Sequence, residues 1–179
     1  MNQWDFTAPF EGIIPHLYLD TAGYVTAGVG FMLPKLVDAQ ALDWAQPVSS
    51  DDVTRDWYTV RAVGAGKLPR AYRIATECRL SEAGMRAEFD RRMALVSYEL
   101  ARVWRDFDAL PAPAQLAIKD MAWNCGVGSL RRHWPKFRAA VDRRDWQTCA
   151  KQCRRRGIQE SRNDATRKLF ESLIPEVLA

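Results

Sequence analysis

From Ser81 onward the apolar residues Met85, Phe89, Met93, Val96, Leu100, Val103 and Phe107 recur at intervals of three and four. That is the period at which side chains line one face of an α-helix. With Ser81-Glu82 as its start, the pattern predicts one amphipathic rod of roughly 24 residues, about twice the usual helix length. Near the N-terminus the composition changes. Leu17-Tyr18-Leu19-Asp20 and Tyr24-Val25-Thr26-Ala27-Gly28-Val29-Gly30 are rich in aromatic and β-branched residues and flank Thr21-Ala22-Gly23. They predict a β-hairpin closed by a three-residue loop with Gly23 left-handed. In that register Asp20 pairs with Tyr24 and Tyr18 with Thr26, so Asp20 and Thr26 share one face of the ribbon. Gly28 and Gly30 fall on the same face, which would leave it open to approach.

Around these two signals the pattern is helical. Thr7 reads as the N-cap of a short helix that runs to Glu11 and is broken by Gly12. Ser49-Ser50-Asp51-Asp52 reads as another helix start, inside a stretch from Leu33 to Leu80 where periodicity is weak. Val63-Gly64-Ala65-Gly66-Lys67-Leu68-Pro69 reads as a loop, without the lysine–serine/threonine end of a nucleotide-binding turn. Pro111 and Pro113 open a helix carrying Leu116, Met121, Trp123 and Cys125 and closed by Gly126 and Gly128. Further helices are predicted near 135–154 and over 161–173, the latter with Ala165, Leu169 and Leu173 inward and Pro175 as its stop. The expected class is α+β, mainly α-helical, with one small β element and no internal repeat.

The 179 residues are 47% hydrophobic and 27% charged, which excludes collagen-like, coiled-coil and disordered chains. No apolar run approaches the roughly 20 residues that span a bilayer, so no integral membrane segment is expected. Met1-Asn2-Gln3-Trp4-Asp5-Phe6 has neither the basic start nor the apolar stretch of a signal peptide. Charge is unevenly placed: residues 1–60 hold two basic and eight acidic side chains, residues 131–168 thirteen basic and four acidic. The basic part is either a well-solvated helical surface or a face for a polyanion such as the cell wall, which the run Arg154-Arg155-Arg156 would meet. A nucleic-acid partner is not expected, for want of a helix-turn-helix or an interleaved basic–aromatic strand pattern. Cys78, Cys125, Cys149 and Cys153 lack zinc-site spacing, and His16 and His133 stand alone, so no metal is expected. Cys125 reads as core; Cys149 and Cys153, four apart, lie either free or bonded to each other or to Cys78.

One constellation carries chemistry. Glu11 ends a helix just before the ribbon, and Asp20 and Thr26 lie on its presumed open face. Glycoside hydrolysis asks for such a set: an acid to protonate the departing oxygen, a second carboxylate to activate water or stabilise the oxocarbenium-like centre, and a group to hold the water. The acid must keep its proton, for which Phe10, Ile13 or Leu17 would supply an apolar wall beside Glu11. The competing reading is a surface Glu, a turn-capping Asp and a strand Thr.

The spacing Glu-(8 residues)-Asp-(5 residues)-Thr, within Glu11-Gly12, Tyr18-Leu19-Asp20 and Gly23-Tyr24-Val25-Thr26-Ala27-Gly28-Val29-Gly30, resembles the phage-type lysozymes of glycoside hydrolase family twenty-four. Weaker likenesses are Ile118–Gly128 to that family's central helix and Gly157–Phe170 to its C-terminal tail. The resemblance implies a lysozyme-like fold: a small β-containing lobe over about 12–80 and a helical lobe of 81–179 with 1–11, joined by the long helix within one domain, 1–179. It implies an inverting muramidase without cofactor, which cuts the β-1,4 bond between N-acetylmuramic acid and N-acetylglucosamine. Glu11 would be the acid, Asp20 the base or electrostatic stabiliser and Thr26 the water holder. Gly30, Phe31 and Met32 would line the glycan cleft. Asn124 would contact substrate or cap its helix, and Arg162 would hold Glu11 or stand solvated at a helix start. Phe31 replaces the family's common His, and Asn163 and Thr166 replace an Arg and a Glu of its tail. The implied setting is a monomer made in the cytoplasm and acting in the periplasm or on the wall, as an endolysin or an exported antibacterial effector with delivery or immunity partners. A lytic transglycosylase of similar fold and a non-catalytic wall-binding module are the other readings.

Overall fold

A computed structural model describes residues 1–45 and 47–175. It is mainly helical with a small antiparallel sheet, an α+β chain: helix α1 (Gln3–Glu11), strands β1 (Ile14–Leu19), β2 (Val25–Gly28) and β3 (Phe31–Met32), then helices α2 (Leu36–Gln40), α3 (Ser50–Val63), α4 (Pro69–Ala75), α5 (Glu82–Val103), α6 (Ala112–Cys125), α7 (Val127–His133), α8 (Pro135–Asp142), α9 (Trp146–Gln152) and α10 (Glu160–Glu171). Two compact units divide the chain, one of residues 11–91 and one of residues 1–10 with 92–179; the boundary falls inside α5.

In the smaller unit β1, β2 and β3 form one antiparallel sheet in that order. Tyr18 pairs with Thr26 and Leu19 with Val25. Thr26 pairs in turn with Met32, and Ala27 with Phe31. The loop between β1 and β2 has three residues, as the pattern predicts: Gly23 N donates to Asp20 O and Asp20 N to Tyr24 O, both at 3.0 Å, and Gly23 takes φ +83°. The third strand is too short to leave a sequence signal. Leu17, Leu19, Val25, Ala27 and Val29 are buried under the sheet, with Val53, Trp57, Val60 and Tyr72. The weakly patterned stretch from Leu33 to Leu80 holds α2, α3 and α4. Ser49 caps α3 in a reciprocal box with Asp52. Buried Asp56 accepts from Glu77 N and Cys78 N at 2.8 and 2.7 Å and so fixes the approach to α5. Burial lowers His16 below the ordinary histidine value, and its Nε2 meets Pro69 O at 2.9 Å, tying β1 to α4.

In the larger unit a core of Leu100, Trp104, Phe107, Ile118, Met121, Leu130, Phe137 and Phe170 joins α5, α6, α7, α8 and α10. α5 is one 22-residue helix, as the apolar period from Met85 to Val103 predicts; Phe107, the last position of that pattern, falls beyond it in a short 3₁₀ turn. Three local expectations change. Asn2, and not Thr7, caps α1, its Oδ1 accepting from Asp5 N at 2.9 Å; Thr7 is fully buried mid-helix. Gly126, at φ +80°, ends α6, but Gly128 lies inside α7. The helix expected over 135–154 is two, because Arg144 takes a left-handed φ of +56° and Asp145 then caps α9 through Thr148 N. All four cysteines are free thiols, Cys125 only half-buried. Burial pushes Cys78 and Cys149 up to about 12 and Cys153 to about 11, which keeps them protonated.

Candidate active site

Glu11 is the last residue of α1. Gly12, at φ +76°, turns the chain away from the helix into β1. The Glu11 carboxylate is half-sheltered, with Oε1 buried. Its other oxygen borders Gly30: a Cβ built on Gly30 would stand 3.3 Å from Glu11 Oε2. Gly30 also takes φ +79°, where a side chain costs about 1–2 kcal/mol. The backbone conformation therefore favours glycine, and an added methyl group would press on the carboxylate. Gly30→Ala is expected to lower the midpoint of thermal unfolding by a few degrees, which calorimetry measures; an unchanged midpoint would show that the left-handed backbone here tolerates a side chain.

Asp20 sits at the end of β1, half-buried. Its Oδ1 accepts from Ala22 N at 2.9 Å and Tyr24 N at 2.8 Å, the side-chain turn that a loop aspartate makes. Its Oδ2 has no hydrogen-bond partner among the described residues. One oxygen thus fixes the carboxylate and the other stays available. The structural and chemical readings of Asp20 are compatible, each using a different atom.

Thr26 is 3% exposed. Its hydroxyl donates to Tyr24 O at 3.1 Å, so the proton is committed and the oxygen's lone pairs remain to accept. The register places it in a row, Tyr18 on one side and Met32 on the other, at the spacing of about 5 Å between facing side chains. Met32 is 47% exposed and Thr26 is the floor between them. Phe31 lies elsewhere than a cleft wall. It is fully buried, its ring packed where a Gly28 side chain would be: a Cβ there would stand 2.3 Å from Phe31 Cε2. The Gly28 part of the expected open face is therefore filled.

The sequence pattern points to no chemical role for Tyr18, yet it shares the row. Burial, then the negative charges of Asp20 and Glu11, push its phenol up to about 12. Its position opposite Thr26 and two before Asp20 was the available signal.

Asn124 and Arg162 belong to the larger unit. Asn124 is exposed on the last turn of α6, while the Gly126 amide, not its side chain, closes the helix end onto Ala122 O. Arg162 is not solvated. At 2% exposure its Nη2 and Nε donate to Asp120 Oδ1 at 2.8 and 3.2 Å, and its guanidinium lies 5.7 Å from the Phe10 ring centre. Asp120 also receives Arg155 Nη1 at 2.9 Å and the Thr7 hydroxyl at 3.0 Å. This cluster corrects the reading of Arg154-Arg155-Arg156 as a wall-facing triplet, since Arg155 is buried and Arg154 pairs with Glu160 at 3.0 Å. Lys136, Arg154 and Arg156 still rim a groove of about 490 Å³ beside Trp134.

Among the described residues no helix is long and apolar enough to cross a membrane. Compared with family models and with curated proteins, the chain matches none.

Proposed function

We propose that this chain is a lysozyme-like peptidoglycan hydrolase, a muramidase that cleaves the β-1,4 bond between N-acetylmuramic acid and N-acetylglucosamine with inversion. The observation that carries this reading is the division of labour on the ribbon face. Asp20 is anchored by Oδ1 with Oδ2 unengaged, beside a threonine oxygen whose own proton is spent. A water between them donates one hydrogen to Asp20 Oδ2 and the other to Thr26 Oγ1, which turns a lone pair outward toward the anomeric carbon. Glu11 gives its proton to the departing glycosidic oxygen. The bond from anomeric carbon to leaving oxygen breaks as that from carbon to water forms. Asp20 ends protonated and Glu11 ionised, and solvent returns the proton. Gly30 and Met32 border the reacting sugar. The residue pattern shared with the phage-type lysozymes supports the substrate class, and the setting is that of an endolysin or an exported antibacterial effector.

The test is product analysis by mass spectrometry after digestion of purified peptidoglycan. Hydrolysis yields reducing-end muramic acid and takes up oxygen from labelled water. An anhydro-muramic product would replace this reading with a lytic transglycosylase, and intact glycan with a non-catalytic wall-binding module.

A further inference from the structure

We propose that Tyr18 contacts the substrate, its phenol donating a hydrogen bond to an oxygen of the sugar that lies between Glu11 and Asp20; the inference rests on the glycan-cleaving reading above. The geometry is that of the sheet. Tyr18 stands directly opposite Thr26, and two residues before Asp20, which follows β1 and still pairs with Tyr24 through Asp20 N and Tyr24 O, so the three side chains share a face. The residue is half-buried. Its hydroxyl has no hydrogen-bond partner among the described residues, whereas the buried Tyr72 spends its own on Gly64 O at 2.7 Å. A half-buried phenol with an unspent donor, on the face that holds the reacting groups, is placed to meet a ligand.

The charges around it define what that ligand group is. Asp20 acts on Tyr18 from its own strand and Glu11 from the end of α1, while β2 opposite it presents the uncharged Thr26. Burial and those two carboxylates hold the phenol as a neutral O–H at any working pH. A lysine or arginine here would hold both carboxylates as anions and oppose proton donation by Glu11. A neutral donor adds binding without that cost. Negative groups of a substrate are repelled by the Asp20 carboxylate, so the acceptor is an uncharged oxygen, such as a sugar hydroxyl, a ring oxygen or an acetamido carbonyl.

The test compares Tyr18→Phe, Glu11→Gln and wild type on purified peptidoglycan, alongside thermal unfolding. Tyr18→Phe deletes one oxygen, so its unfolding midpoint should match wild type. Its kcat/KM should fall about tenfold, mostly in kcat, because the contact lies at the sugar that changes shape in the transition state. Wild-type kinetics in Tyr18→Phe, with Glu11→Gln inactive, would overturn the Tyr18 assignment alone. Equal rates for Glu11→Gln and wild type, or no cleavage by either, would overturn the hydrolase reading and this inference with it. A binding measurement stands apart from turnover and from any folding defect of the variant. Soluble peptidoglycan fragments added to Glu11→Gln should shift the Tyr18 ring resonances in NMR spectra; shifts at Met32 without any at Tyr18 would also overturn the assignment.

Discussion

Glu11→Gln is expected to lower glycan cleavage by about 10²–10⁴-fold, the usual worth of a positioned general acid, while the protein folds as before. The amide fills the volume of the carboxyl and retains a donor and an acceptor, so the neighbourhood of Gly30 is undisturbed. What it lacks is a transferable proton, and the departing sugar oxygen must then leave as an alkoxide. The loss falls on kcat and kcat/KM together, because proton transfer belongs to the transition state and not to substrate binding. Turbidity of permeabilised cells and release of reducing sugar give the rate, and circular dichroism gives the fold. A variant that clears cells like wild type would remove Glu11 from the chemistry and with it the muramidase assignment.

What the sequence made legible and what it hid divide by distance along the chain. The hairpin was readable because its determinants are local: a left-handed Gly23 and an aspartate that bonds the amides two and four residues ahead. α5 was readable because six apolar residues from Met85 to Val103 keep one period through it. The break between α8 and α9 was not, since it depends on a left-handed φ at Arg144, a residue type that carries no such preference. The triad spacing was visible, but how its atoms divide their work was not. That Oδ1 of Asp20 is spent and Oδ2 is not follows from the loop's closure. Gly28 was read as open space on the assumption that nothing covers it; Phe31 returns through β3, a two-residue strand, and does. Arg155 was misread for the same reason. Within a run of three arginines nothing local separates the buried one from its exposed neighbours, and its partner Asp120 lies 35 residues away.

That buried partner carries the second large effect. Asp120 is fully buried and is the carboxylate that pairs with both Arg155 and Arg162 in this cluster, which are 4% and 2% exposed. Burial lowers the Arg155 guanidinium from its ordinary value and Asp120 pulls it back up, so the carboxylate is what makes a charged arginine tolerable there. Asp120→Asn keeps the volume and one acceptor but removes the anion that Arg155 and Arg162 share. Breaking a buried pair from one side costs about 3–5 kcal/mol, and a chain of this size loses about 2–4 °C in its unfolding midpoint per kcal/mol. A drop of roughly 10 °C or more is therefore expected in thermal unfolding followed by circular dichroism. The same charge removed at exposed Glu160, from its pair with Arg154, should leave the midpoint nearly unchanged, because solvent already screens that contact. Since the penalty includes the lost pairing of buried Arg155, Arg155→Met combined with Asp120→Asn should recover part of the loss, an apolar side chain of similar length needing no counter-charge. No recovery in the double variant would mean that the carboxylate acts chiefly through the Thr7 hydroxyl and the Arg162 fork, and not by neutralising Arg155.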